Sequence, residues 1–283
     1  VGKFETGYEG ATTTETAQVN SVDISKIIIK PNVYSWRNIA LGNMFKNSYD
    51  YKRDLDSHMM KNTEWGSVSY LQHSAYGSMT SIRINNNSNY ITGYAATEEP
   101  ILGYNNGKSI AGNRIESTNL AQDGTYTVNY LNKDSVVAST TNNYSGIYDM
   151  SGGAWDYVIG YTMGATTTGG SSDITNLYPN FFSDNTYSKY WDKYSSTLST
   201  QYNNRILGDA IGEIGPFGSE KDPDGTMRNK SSWYKDYAYF IFSSYPWLVR
   251  GGSKNYGISS GIFAFDCYPG TANLISFRVV LAP

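Results

Sequence analysis

The chain has 283 residues, a formal net charge of -3 and only 17% charged residues, with 26 Tyr, 28 Gly and one Cys. That balance offers no polycationic face for phosphates, so nucleic acid is not an expected partner, and a single cysteine excludes an intrachain disulfide framework or a cysteine-rich zinc site. No apolar run approaches the roughly 20 residues that span a bilayer, so no direct membrane insertion is expected. The length suits one elaborated domain over 1–283. Tyr, Ser, Gly and Asn are the vocabulary of binding loops, since Tyr gives large contact area at low entropy cost, and equally of a loop-rich β protein with ordinary surface tyrosines.

Val1 to Thr6 opens the chain like the inside of a strand, without a basic-then-apolar leader, so an upstream signal or anchor is expected. A second strand is expected over Lys26 to Lys30, before Pro31. Ser35 offers an N-cap, and Trp36, Ile39, Ala40, Met44 and Phe45 fall near helical spacing, which predicts a short helix there. Asn62 or Thr63 caps a second, with Trp65, Val68 and Leu71 on one face and Gly77 as its stop. From about 85 to 143 the chain turns polar, with hairpin signals at Asn106-Gly107 and Asp123-Gly124 and a strand over Thr125 to Leu131, and reads as an insertion over the core. Tyr148 to Val158 carries a glycine turn that delivers Trp155 into the core and starts a strand, and 164 to 232 reads as a second polar, turn-rich insertion holding Tyr187, Tyr190, Trp191 and Tyr194.

Candidate chemistry is sparse. His58 and His73 lack a third ligand, so no metal site is expected from them, and hydrogen-bonded or solvated histidines are the simpler account. Asp222-Pro223-Asp224-Gly225 could set oxygens around a structural calcium but lacks the spacing of a twelve-residue calcium loop, and reads more simply as a turn. Cys267 has neither base nor cation beside it, only Asp266 and Tyr268, and no nucleophile elbow or phosphate loop occurs. No catalytic residue emerges.

Four stretches carry a resemblance. Lys3-Phe4-Glu5-Thr6 is similar to a "yEVT" first strand, Tyr148-Asp149-Met150-Ser151-Gly152-Gly153-Ala154-Trp155-Asp156-Tyr157 to "YDMxGNVWEW", Val249-Arg250-Gly251-Gly252-Ser253 to "xRGGSW", and Phe277-Arg278-Val279-Val280 to "GFRxV". In that order they resemble the landmarks of the formylglycine-generating-enzyme type of C-type lectin fold. The resemblance implies an α+β, C-type lectin-like fold with two short helices, small antiparallel sheets and long loop insertions. It departs at Gly153-Ala154, at Lys254 and at Ser276, and the one Cys and two His fall short of the copper or iron centres of catalytic relatives. Asp56 to Gly66 and the closing RGG…GIFAF…SFRVVLA further resemble surface proteins of gut Firmicutes and their phages whose C-terminal module is varied by a diversity-generating retroelement. That implies a non-catalytic protein displayed on a cell surface, a pilus or a virion, with a protein or glycan as ligand and, as in some such proteins, a pilin-type segment upstream of Val1. A formylglycine- or sulfoxide-synthase-like metalloenzyme and a purely structural pilus or virion subunit are the other two readings.

Under this resemblance the variable region covers about 250–278. Trp155, Trp247, Arg250, Gly251, Gly252, Phe263, Phe265, Phe277 and Arg278 are expected as scaffold. Lys254, Tyr256, Ile258, Ala264, Asp266, Cys267, Tyr268, Thr271, Asn273, Leu274 and Ile275 are expected as ligand-binding positions. Strand alternation places Phe263 and Phe265 on one face against Ile262, Ala264 and Asp266, and Phe277, Val279 and Leu281 against Arg278 and Val280. Gly251-Gly252, Gly257 and Gly270 are expected to hold turns whatever their neighbours. The competing account buries Ile258, Leu274 and Ile275 as ordinary core.

Overall fold

The computed structural model describes residues 1–13, 15–31, 33–71, 74–75, 139–141, 143, 146–162, 169–194, 220–221, 227–228, 236–242, 244–253, 259–271 and 273–282. Along them run β1 (Gly7–Tyr8), β2 (Ile27–Ile28), α1 (Leu41–Tyr51), β3 (His58–Met59), α2 (Asn62–Leu71) and β4 (Trp155–Thr162). Then come α3 (Gly169–Leu177), β5 (Asp192–Tyr194), β6 (Glu220–Lys221), β7 (Met227–Arg228), β8 (Trp247–Arg250), β9 (Phe265–Tyr268), β10 (Ile275–Phe277) and β11 (Val279–Val280). The class is mixed α+β, with three helices among the described residues rather than the two expected.

β4 is the axis of the largest sheet. All eight of its residues are buried, as a strand covered on both faces must be. β8 pairs antiparallel with β4 and then with β9, while β10 and β5 run parallel to β4 at its two ends. Alternation sends Trp155, Tyr157, Ile159 and Tyr161 to one face, where Trp36, Leu41, Phe45, Ile174 and Phe181 complete a core. Val158 points to the other face, into a second core with Trp65, Val68, Phe240, Phe263 and Phe265. Each such side chain contributes about 1.5–3 kcal/mol through burial.

The helix expected from Ser35 begins six residues later. Trp36 is held extended instead: its amide donates to Thr6 O (2.9 Å), its indole to Val19 O (2.7 Å), and Arg37 N–H to Ala17 O (3.1 Å). Asn38 then takes φ 54, outside the helical region, and α1 starts after Ala40. Tertiary pairing has overridden local periodicity. α3 lies inside the stretch expected as irregular insertion and packs on α1 through Gly42, where a Cβ would fall 2.1 Å from Asp173 O. α2 begins at Asn62, close to its expected start, but neither Asn62 nor Thr63 caps it: the Asn62 side-chain amide donates to the Tyr194 hydroxyl (2.8 Å) and accepts from Arg250, and the Thr63 hydroxyl donates to Asp192. Glu64 reaches back to accept the Lys61 amide (2.9 Å), and Asp192 of β5 accepts the Thr63 amide (2.8 Å). Trp65 and Val68 are buried, but Leu71, placed by periodicity on the same face, is exposed.

The first six residues bond to the end of the chain, Gly2 N–H to Val279 O (2.9 Å) and Thr6 N–H to Phe277 O (3.1 Å), while Tyr148 N–H donates to Lys3 O (2.8 Å). The strand expected over Val1 to Thr6 lies just beyond that stretch, as β1, where Gly7 pairs antiparallel with Ile28 of β2. No helix among the described residues is long and apolar enough to cross a membrane. Gly77, the hairpins expected over 85–138 and the Asp222-Gly225 turn lie outside the described residues.

Candidate binding surface

The expected scaffold residues of the C-terminal stretch are fixed by specific contacts. Gly251 and Gly252 have φ of +86 and +70, and a Cβ on Gly252 would lie 2.6 Å from Ser260 Cα, so both turn geometry and space demand glycine. Among the described residues the positive-φ glycines are Gly10, Gly152, Gly153, Gly251 and Gly252, so Gly270 is not held by that device. Arg250 is fully buried and donates through Nε to Ala264 O (3.2 Å), through Nη2 to Ile262 O (3.3 Å) and through Nη1 to Asn62 Oδ1. Its guanidinium sits 5.6 Å from the Trp65 ring, whose indole donates to Ile262 O (2.7 Å). One arginine thus ties β8, α2 and the turn before β9 together.

Arg278, expected opposite the core-facing residues, is also fully buried. It donates to Gly2 O (2.9 Å) and approaches Asp156 Oδ2 at 3.5 Å. Glu5 and Asp149 complete this buried network: Glu5 N–H donates to Asp149 Oδ2 (3.2 Å) and the Ser35 hydroxyl to Glu5 Oε2 (3.4 Å). Burial pushes the Glu5 carboxyl well above its ordinary range, and Asp156 and Asp149 add to the shift. Asp156 is pushed up to about 6 by burial, against the pull of Arg278. Leu281, expected on the core side, is exposed at 38%.

The eleven expected ligand-binding positions separate into three groups. Lys254, Tyr256 and Ile258 lie outside the described residues, as does Gly257. Ala264, Cys267 and Ile275 are buried at 0%, 5% and 0%, which corrects their placement on an accessible surface. The reason is that a core covers each face of the sheet. β9 begins at Phe265, so Phe265 and Cys267 face the second core, Cys267 opposite Leu248, while Ala264 and Ile275 pack in the first. Ile262 likewise joins Phe263 in the second core rather than opposing it. Asp266, Tyr268 and Leu274 are half-buried, and Thr271 and Asn273 are exposed. These five cluster at the β9 edge and the turn leading to β10. The turn is secured from below: the Tyr157 hydroxyl donates to Gly270 O, Trp155 N–H to Leu274 O (3.0 Å) and Arg37 Nη1 to Asn273 O. Tyr237 and Tyr239, half-buried on the segment bonded to the start of β9, belong to the same edge and were not among the expected positions. The clustering of aromatics over Trp233 to Phe242 was the only available signal for them.

The remaining chemical candidates have structural partners. His58 is buried, its Nδ1 2.7 Å from Asp56 O and its Nε2 2.8 Å from Glu64 Oε1. Burial opposes the charged ring, but the Glu64 carboxylate outweighs it and holds the imidazole above its ordinary pKa. Glu64 is correspondingly held below its ordinary value by His58, against its own burial. His73 lies outside the described residues. Burial, then the charge of Asp266, pushes the Cys267 thiol far up, which disfavours the thiolate. No three His, Cys, Asp or Glu side chains among the described residues are arranged to hold a metal ion. No family model matches the chain, and no curated protein matches it. The case for any function therefore rests on this geometry: a rigid floor fixed by Arg250, Gly252 and Tyr157, and an edge whose five accessible side chains differ in size, polarity and charge.

Proposed function

We propose that this is a non-catalytic binding protein of the C-type lectin-like, formylglycine-generating-enzyme subtype, displayed at a cell surface, on a pilus or on a virion. Its C-terminal edge is diversified to recognise different protein or glycan ligands. The observation that carries the reading is the division of labour along 250–278. Arg250, Gly251, Gly252, Phe277 and Arg278 are immobilised by buried contacts, while Asp266, Tyr268, Thr271, Asn273 and Leu274 keep accessible surface. The lectin-type assignment is supported by the meeting of all four landmark stretches. Glu5, Asp149, Asp156 and Arg278 share one buried network, and Gly152 N–H donates to Gly251 O (3.0 Å). The buried, hard-to-ionise Cys267 disfavours a role as nucleophile. Sequencing the gene across sibling isolates tests the proposal. Changes concentrated at 254–258, 266, 268, 271, 273 and 274, beside a reverse-transcriptase gene with a near-copy of the 3′ end, are expected. Changes scattered evenly along the chain overturn it.

A further inference from the structure

Asp266 and Tyr268 lie two residues apart on β9, project to one face and are both half-buried. Asp266 is opposite Val249 and Tyr268 opposite Trp247, so both stand on the first core's face of the sheet. Across β8 from them lies Tyr157 of β4. At the start of β9, Phe265 N–H donates to Tyr237 O (2.9 Å), which brings Tyr237 to the same edge, and its ring meets Trp155 edge-on at 6.2 Å. An aromatic strip of Tyr237, Trp155, Tyr157 and Tyr268 therefore runs past a single β9 carboxylate.

Among the described residues that carboxylate has no partner cation, and its side-chain hydrogen-bond partner is the Cys267 thiol. Its Oδ1 accepts the Cys267 amide (2.7 Å), and no lysine, arginine or histidine among the described residues forms an ion pair with it. Burial without a partner cation pushes Asp266 up to about 7. On this side Arg37 is committed to Asn273 O, and burial, then Tyr268 and Asp173 of α3, raise the Tyr157 pKa. A half-buried carboxyl without a counter-charge is unfavourable unless something completes it, and aromatic faces beside it suit a cation. A neutral saccharide could stack on the rings but would leave the charge unmatched.

We infer that this strip is a subsite for a cationic side chain of a protein ligand, a lysine ammonium or arginine guanidinium seated against Tyr237 and Tyr268 with its charge on Asp266. The inference rests on the proposed binding role and specifies the chemistry that the edge selects. Titrating the full chain with Nα-acetyl-lysine methylamide, its arginine counterpart, the neutral norleucine counterpart and methyl α-mannopyranoside tests it, with the ¹³C signal of the Asp266 carboxyl as reporter. The cationic probes are expected to bind at least about tenfold more tightly than norleucine and to pull the Asp266 titration downward. Asp266→Asn keeps an acceptor for the Cys267 amide and should abolish that preference while leaving the protein at least as stable as wild type at pH 7, since burial disfavours the carboxylate it replaces, and Tyr268→Leu should weaken both cationic probes. Equal binding of lysine and norleucine probes, preferential binding of the glycoside, or a charge preference that survives Asp266→Asn overturns the inference. If a protein ligand is instead lost on Thr271→Glu or Asn273→Glu but indifferent to Asp266→Asn, the binding role stands and this subsite falls.

Discussion

Asp236 offers a direct test of how the floor of this surface is built. It is buried at 1%, accepts the Phe263 amide at 2.9 Å and is packed so closely on Gly261 that a Cβ there would lie 2.0 Å from either carboxylate oxygen. Burial pushes its pKa from 3.8 up to about 8, although the Phe263 amide and Arg250 pull the other way. The sign follows from linkage: below about pH 4 the carboxyl is protonated in both states and costs nothing. Between about pH 4 and pH 8 the unfolded chain releases a proton that the folded chain keeps, so stability falls as pH rises, by about 1.4 kcal/mol per unit. By pH 7 that amounts to at most about 4 kcal/mol. Asp236→Asn preserves the acceptor for Phe263 and occupies the same space against Gly261. It should match the wild type near pH 4, exceed it by up to about 4 kcal/mol at pH 7, and remove that part of the slope. Urea denaturation from pH 4 to 8, read as midpoints at constant m-value, measures this. If the variant is less stable than wild type at pH 7, Asp236 is ionised and held by Arg250, and the reasoning fails.

Three further outcomes follow from the same structure. Gly252→Ala must adopt φ +70 with its Cβ 2.6 Å from Ser260 Cα and should cost about 3 kcal/mol, whereas Gly10→Ala, at φ +83 in open space, should cost about 1 kcal/mol; equal losses in denaturation would show that space at Gly252 is not limiting. His58 faces two acceptors, Asp56 O and Glu64, so its raised pKa contributes stability that is fully present below about pH 6.5 and lost as pH rises through the folded value. Glu64→Gln should lower the NMR titration midpoint of His58 and flatten that loss, and an unmoved midpoint would show that Glu64 is not the cause. Cys267, at 5% exposure with its thiol pKa driven up, should resist iodoacetamide at pH 8 in the native protein and react at the rate of unfolding; rapid native labelling would contradict its place in the core.

What the sequence revealed and what it hid divide along physical lines. The α2 start at Asn62, the strand at Trp155 and the fixed roles of Arg250 and Gly252 were legible, because the helical spacing of Trp65 and Val68, glycine turns and long buried side chains act locally or admit few alternatives. The helix placed at Ser35 was wrong because Trp36 bonds to Thr6, thirty residues away, and no local pattern carries that pairing. α3 was hidden by composition: Gly169-Gly170-Ser171-Ser172 is a poor helix former on its own, and the helix is stabilised by packing on α1. The face assignment around β9 failed at a single residue. Counting alternation from Gly261 treats the whole run as strand, whereas a turn occupies Ile262 and Phe263 and alternation starts only at Phe265.

The two cores on either face of the sheet constrain the diversified-edge proposal. Of the eight expected positions that the structure describes, Ala264, Cys267 and Ile275 are buried, so free variation there would act on folding before it acted on recognition. A charge at Ile275 would enter the core beside Trp155, and a large side chain at Ala264 would press on the strand that Arg250 holds. Cys267 is different in kind. It is small, packs opposite Leu248 and has one side-chain hydrogen bond, to the Asp266 carboxyl, so Ser could replace it at modest cost, Ala or Val at the added loss of that bond, while a charge could not. A repertoire built on this scaffold would therefore be broad at 266, 268, 271, 273 and 274, restricted to small apolar or hydroxyl residues at 267, and nearly closed at 264 and 275. Such a graded pattern is set by burial and not by distance along the chain; ordinary drift in a structural subunit would also spare buried positions, but it would spread its changes over the whole exposed surface rather than concentrate them at these five.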